Sequence, residues 1–293
     1  MSDQIRIMGV YAHPADVATE AAGTMAIHAD RGDELTCIVM SDGLRMHPHL
    51  LSSETGGEPV GVDEYLQFRR REVRRAADII GFKHLEFLGW DQDYFNATDE
   101  RVLALARMIA RYRPDAIVTH YPVGAVLIDS NAFTGVYATR AMRLAGSLIP
   151  QIDGVEPHFV KDLFFFLQDQ SMDTRSKIDV PGLVADFYVD VTPVIDRVIH
   201  AHDQFVSQGY HGQAARKMAE AAYGRYGMFA NTSYAEPFML ARSTTYTSLP
   251  LPDRLTNRAP VSNQFVSNDL PGDQLLALTI PSATPQDAHH IRG

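Results

Sequence analysis

Cysteine and tryptophan are the scarcest residues of this 293-residue chain, with one of each, Cys37 and Trp90. A lone thiol excludes an internal disulfide and a cysteine-rich zinc cluster. Cys37 stands inside the apolar run 35–40 and reads as an inert core residue. Basic residues are in deficit, 26 Lys and Arg against 36 Asp and Glu, for a formal net charge of -10. Nothing global attracts a polyanion, so nucleic acid and anionic membrane surfaces are poor partners. No window approaches the roughly 18 consecutive apolar residues of a membrane span. The first residues, Met-Ser-Asp-Gln, lack a basic region followed by an apolar stretch. A soluble, cytoplasmic protein is expected. There is no internal repeat. The composition, 45% hydrophobic and 21% charged, is ordinary for a globular chain with one large core.

Apolar runs and helical spacing alternate along the chain. Residues 5–11 read as a short buried strand, and after Pro14 helical spacing holds from about residue 16 to 31. The run 35–40 is nearly all apolar, the pattern of a parallel strand covered on both faces. A loop rich in His, Gly and Pro follows, then a basic helix over 63–80 stopped by Gly81, a third strand over 84–88, a helix over 99–112 and a fourth strand over 116–119 that ends at His120. Two further strands are expected at 163–167 and 187–191. Thr192 caps a helix running to about residue 208, with Pro193 in its first turn. Strands alternating with helices predict an α/β fold, a doubly wound, mostly parallel sheet with helices on both faces. Residues 1–242 form this domain. From Ser243 the composition shifts to Ser, Thr, Asn and Pro without periodicity, so 243–293 reads as disorder or as an extended arm on another surface, such as a second subunit of a homo-oligomer.

Ligands in such sheets bind beyond the carboxyl ends of the strands. The first of these ends is Tyr11-Ala12-His13-Pro14-Ala15-Asp16. A His and an Asp three residues apart at the start of a helix can turn imidazole and carboxylate toward one point, a donor pair that suits zinc and related divalent cations. Asp16 could equally serve only as a helix cap. The basic run Arg69-Arg70-Arg71 with Arg74-Arg75 lies on a helix that also carries Glu64 and Glu72, and reads as an exposed face with intrahelical ion pairs. Phe164-Phe165-Phe166 reads as a buried strand. Trp90 and the residues to Asp93 would shape the mouth of the pocket.

Strand-Ala12-His13-Pro14-x-Asp16, then His28-Ala29-Asp30-Arg31-Gly32-Asp33, then strand-Ser41-Asp42-Gly43 resembles the LmbE/PIG-L-like metal-dependent deacetylases. The likeness continues through Arg70 to Gly81, Arg113 to His120, Tyr188 to Thr192 and Tyr234 to Phe238. It implies a Rossmann-like fold, a divalent metal cofactor, most simply zinc, and a small-molecule substrate. Two departures bear on the chemistry. The deacetylases read His-Pro-Asp-Asp, the first aspartate acting as general base, and that position here is Ala15. Their third metal ligand is a histidine after the fourth strand, and the best register puts Asn131 there, with Asp129 nearby. The resemblance therefore implies His13, Asp16 and Asn131 as metal ligands.

An alanine before the aspartate also occurs in the family's branch that resembles 4-oxalomesaconate hydratase, from aromatic-acid degradation. That branch adds water to an activated double bond. Its glutamate after the second strand falls at Leu44, whereas its arginine is matched by Arg45. The expectation is a metal-dependent hydratase or lyase acting on a small unsaturated oxo-carboxylic acid. The alternatives are an amide-cleaving deacetylase with a substitute base and a catalytically silent ligand binder. Arg45 would clamp a substrate carboxylate with its planar fork. His120 lies at a strand end, either at the substrate or as a structural histidine behind the metal. The candidate proton shuttles are Asp42, His47, His49, Asp91 and Asp129.

Overall fold

The computed structural model describes residues 4–44, 61–90, 98–122, 130–147, 156–167 and 185–243. Seven strands form one sheet: β1 (Arg6–Tyr11), β2 (Glu34–Ser41), β3 (His84–Trp90), β4 (Ala116–His120), β5 (Asp162–Phe166), β6 (Phe187–Asp190) and β7 (Ala235–Leu240), in the order β3-β2-β1-β4-β5-β7-β6. β1 is central and parallel to both neighbours, Val10 aligning with Ile38 of β2 and Thr119 of β4. The near-continuous apolar character of β1 and β2 follows from burial on both faces. The parallel order expected from the alternating pattern holds through β5.

Winding runs from β1 outward to β2 and β3, then restarts on the other side with β4 and β5. The switch point thus lies between the carboxyl ends of β1 and β4, where such folds leave a crevice. Helices α1 (Asp16–Thr19), α2 (Ala22–Asp30), α3 (Val62–Ile80) and α6 (Ile195–His202) cover one face, and α4 (Asp99–Tyr112) and α5 (Ser130–Ala145) the other. A helical stretch of α7 (Gln213–Ala219), a π-helical turn (Glu220–Gly224) and α8 (Arg225–Ala230) then leads to β7.

Three expectations need correction. The helix read over 16–31 is two helices, because Glu20 is extended and Ala21 takes φ 52°. The cause is a distant partner: the buried carboxylate of Glu236 on β7 accepts from Gly23 N and Thr24 N, both at 2.8 Å, and from Thr24 Oγ1 at 2.6 Å, and so caps the start of α2. The helix from Thr192 to residue 208 is likewise interrupted, with a 3-10 turn at Thr192–Val194, α6, and a second 3-10 turn at Val206–Gln208. The third concerns the basic helix. Arg69 is 1% exposed and Glu72 2%, so they do not belong to a solvated charged face. Glu72 accepts from Ser207 N at 2.7 Å and from Ser207 Oγ at 2.5 Å. β7 itself, antiparallel to both β5 and β6, is not among the strands that the pattern predicts. Cys37 is buried as expected. Residues 244–293 lie outside the described residues, and no helix among the described residues is long and apolar enough to cross a membrane.

Candidate functional site

Hydrogen bonds around the ends of β1, β2 and β4 hold the His13–Asp16 corner. Thr119 Oγ1 donates to Val10 O at 2.9 Å and Ser41 Oγ to Ala12 O at 2.8 Å, tying the last turn of β1 to both neighbouring strands. Beyond Ala12 the chain turns back, and the Asp16 side chain, 12% exposed, folds onto it. Its Oδ2 accepts from His13 N at 2.7 Å and lies 3.1 Å from Nε2 of the buried His120. The same oxygen is 3.4 Å from His13 Nδ1.

Burial pushes the Asp16 carboxyl up, but the neighbouring imidazoles of His13 and His120 outweigh it and hold the group well below the usual carboxylate range. Asp16 is therefore an anion at neutral pH. Ala12 N also lies 3.2 Å from His120 Nε2. That nitrogen cannot both accept from Ala12 and donate to Asp16, and the charge-assisted bond to the carboxylate is the stronger, so Nε2 carries the proton. The imidazole packs edge-on against Phe166, centroids 4.5 Å apart.

Across the crevice α5 brings Ser130, whose Oγ lies 2.7 Å from His13 Nε2. The imidazole of His13 is thus held on both sides, by Asp16 near Nδ1 and by Ser130 at Nε2. Asn131 follows directly in α5. Ser130 is a site residue that sequence reasoning misses, since a serine in an unpatterned loop carries no signal of its own, and only its adjacency to the ligand register at Asn131 could mark it.

The end of β2 is clamped from α3. Arg70 Nε and Nη2 donate to the two oxygens of Asp42, each at 2.8 Å. Arg69 Nη1 donates to Gly43 O at 2.6 Å, and its Nη2 bonds the Tyr65 hydroxyl. Gly43 has φ +63°, and a Cβ there would come 2.6 Å from Arg69 Nη1 and 2.9 Å from Pro14 Cδ. A glycine is needed at that position on both counts.

Both oxygens of Asp42 are taken up by Arg70, which ties the end of β2 to α3. His120, 2% exposed and bonded to Asp16, lies behind that carboxylate. Arg45, His47, His49, Asp91 and Asp129 lie outside the described residues. Trp90 packs on Tyr137 of α5, centroids 5.3 Å apart, with Arg101 over its ring.

Among the described residues no three His, Cys, Asp or Glu side chains converge as a cation site. The corner offers two such donors, and their spacing suits a shared ion: neighbouring ligands of one cation with bonds near 2.1 Å stand roughly 3.0 to 3.4 Å apart. His13 Nδ1 and Asp16 Oδ2 are 3.4 Å apart. Asn131, the third ligand that the resemblance implies, follows Ser130 in α5. The two donors of the corner suit part of the shell of a divalent cation.

Sheet and corner together define a doubly wound α/β domain with a His–Asp site at its topological switch point. Residues 8–132 match the family model described as PIG-L: GlcNAc-PI de-N-acetylase. The stretch from β1 to the start of α5 is thus similar to that family. It is 26% identical over 136 residues to the mycothiol S-conjugate amidase of Streptomyces coelicolor, covering 41% of this chain and 45% of that one. It is 26% identical over 145 residues to a probable N-acetyl-alpha-D-glucosaminyl L-malate deacetylase 2 of Bacillus anthracis, covering 48% and 61%. The chain thus spans about half to three fifths of the length of these two curated relatives. Among solved structures, GalB, the 4-carboxy-2-hydroxymuconate hydratase of Pseudomonas putida KT2440, shares the fold with a TM-score of 0.67 at 19% identity, over 84% of this chain and 100% of that one.

Proposed function

We propose that this protein is an enzyme, a metal-dependent hydratase or related lyase that adds water across the double bond of a small unsaturated oxo-carboxylic acid. The observation that carries the reading is Ala15. The position at which the family's deacetylases keep their general base is here a methyl group, 5% exposed and part of the larger hydrophobic core, while His13 and Asp16 beside it are retained. The fold is one that a hydratase also uses, so it accommodates this chemistry.

His13, Asp16 and Asn131 would hold the cation. A cation held there would supply Lewis-acid polarisation of a substrate oxygen. Zinc is the first ion to test, with manganese and magnesium beside it because of the amide ligand. His120 would hold Asp16 in orientation from behind. Arg45 is the proposed clamp for the substrate carboxylate, and His47, Asp91 and Asp129 are the proposed proton carriers. Residues 243–293 are proposed as an arm between subunits, so a chain ending at residue 242 should sediment as a smaller species.

A second reading, an amide-cleaving deacetylase with a substitute base, is supported by the amidase and deacetylase names of the curated relatives. One paired assay separates the two. Metal-loaded protein is given unsaturated oxo-dicarboxylic acids, with loss of conjugated absorbance followed, and N-acetyl amino sugars, with acetate release followed. Hydration without acetate release is expected. Acetate release without hydration would reverse the order, and neither activity from protein that binds no divalent ion would leave only the ligand-binding reading.

A further inference from the structure

The contact between Ser130 and His13 has no counterpart in the ligand set expected from sequence, yet at 2.7 Å it is among the closest contacts at the corner. We infer that Ser130 is a positioning residue for His13: its hydroxyl oxygen accepts the Nε2 proton, which leaves the Nδ1 lone pair directed to the side of Asp16. The inference rests on the proposed reading of the corner as a cation site and adds to it the residue that selects the imidazole tautomer.

An imidazole with one proton can donate from one nitrogen only. If Nδ1 carried the proton, the carboxylate oxygen facing it at the corner would be Asp16 Oδ2. That separation is 3.4 Å, beyond the 2.7–3.2 Å usual for such bonds. The same oxygen already takes the His13 amide at 2.7 Å and faces His120 Nε2 at 3.1 Å. The short contact is on the other nitrogen. Placing the proton on Nε2, between His13 and Ser130, satisfies the 2.7 Å contact, and the 3.4 Å gap is then the edge between two ligands of one ion. A ligating histidine commonly gives its second ring proton to an oxygen in this way, which fixes both tautomer and ring orientation.

Ser130 is well placed to act as a fixed point. It opens the sixteen-residue α5. Thr134 Oγ1 donates to Ser130 O at 2.9 Å and secures the first turn. One turn on, Gly135 lets the helix rest directly on β4, since a Cβ there would stand 2.3 Å from His120 O and 2.9 Å from Pro122 N. The helix that carries Ser130 and the strand that carries His120 are thereby locked together, and His13 and Asp16 are held between them.

The test begins on metal-free protein labelled with 15N in its histidines, so that its outcome does not depend on whether the corner binds an ion. Long-range 1H–15N correlation reads the His13 tautomer. Wild type should show Nε2–H, Ser130→Ala a mixture of tautomers, and Ser130→Thr, which retains the hydroxyl, the wild-type pattern. Calorimetric titration with manganese or zinc follows, and Ser130→Ala should lose roughly 10- to 100-fold in affinity with recovery in Ser130→Thr. Circular dichroism and thermal melting check that both variants fold. A wild-type His13 carrying its proton on Nδ1 would overturn the inference. So would a folded Ser130→Ala with unchanged tautomer and affinity, or stoichiometric labelling of Ser130 by a fluorophosphonate, which would make the hydroxyl a nucleophile that donates to His13. If wild type binds no divalent ion while His13 still shows Nε2–H, the cation reading fails and the Ser130 assignment stands.

Discussion

The buried imidazole of His202 makes a pH dependence that can be worked through. His202 closes α6 at 2% exposure, its Nε2 lies 3.3 Å from the Tyr223 hydroxyl, and Tyr223 in turn donates to Ala18 O at 2.9 Å, behind the His13–Asp16 corner. Burial lowers its pKa from 6.5 to about 4, outweighing a hydrogen bond to the Ala18 backbone that acts the other way. The folded value is depressed, so the native state holds a neutral ring that the unfolded chain protonates. Stability from this group is complete above pH 6.5 and is lost as pH falls toward 4. Each tenfold difference in proton affinity between the folded and unfolded chain is worth about 1.4 kcal/mol, so the loss is about 2 kcal/mol at pH 5 and about 3 kcal/mol below pH 4. Urea unfolding at pH 7.5 and 5.0 measures it against His202→Gln, which cannot titrate. Wild type should lose about 2 kcal/mol more than the variant between the two pH values. Equal losses would refute the reasoning, since they would mean that His202 is solvated or retains its ordinary pKa in the fold.

Removing the Glu236 carboxylate leaves three donors at the start of α2 without their acceptor, so Glu236→Ala should cost about 3 kcal/mol or more in urea unfolding at neutral pH. His120→Ala withdraws the support of Asp16 from β4, and divalent-ion affinity measured by calorimetry should fall roughly 10- to 100-fold while the protein still folds. Gly135→Val drives a side chain into the His120 and Pro122 backbone, and a drop in melting temperature equivalent to about 1–3 kcal/mol is expected together with weakened ion binding, because α5 must lift away from β4. Asp42→Asn keeps the shape of the clamp on Arg70 but removes its charge. If Asp42 only holds the end of β2, turnover should fall through altered KM with the pH profile unchanged, and a lost ionisation in that profile would restore Asp42 as a proton carrier.

Local pattern carries the parts of this protein that need no distant partner. Alternating apolar runs and helical spacing reveal β1 to β5 and the long helices α3 and α4, because burial on both faces of a parallel sheet and on one stripe of a helix imposes those periods directly on the chain. The corner His13-Pro14-Ala15-Asp16 is legible for the same reason: its two donors are three residues apart, and the strand and helix that aim them are their immediate neighbours. What escapes the sequence depends on residues far from one another along it. The break at Ala21 reflects Glu236, more than 200 residues on, the burial of Glu72 depends on Ser207, and the charge of Asp42 is taken up by Arg70. Ser130 meets His13 from 117 positions away, and no periodicity marks either residue for the other. The sequence by itself determined the doubly wound sheet and the seating of His13 and Asp16 at the end of its central strand, since both follow from short-range patterning. Only the tertiary structure decided which polar groups hold that corner, because hydrogen-bond partners and burial are properties of chain closure.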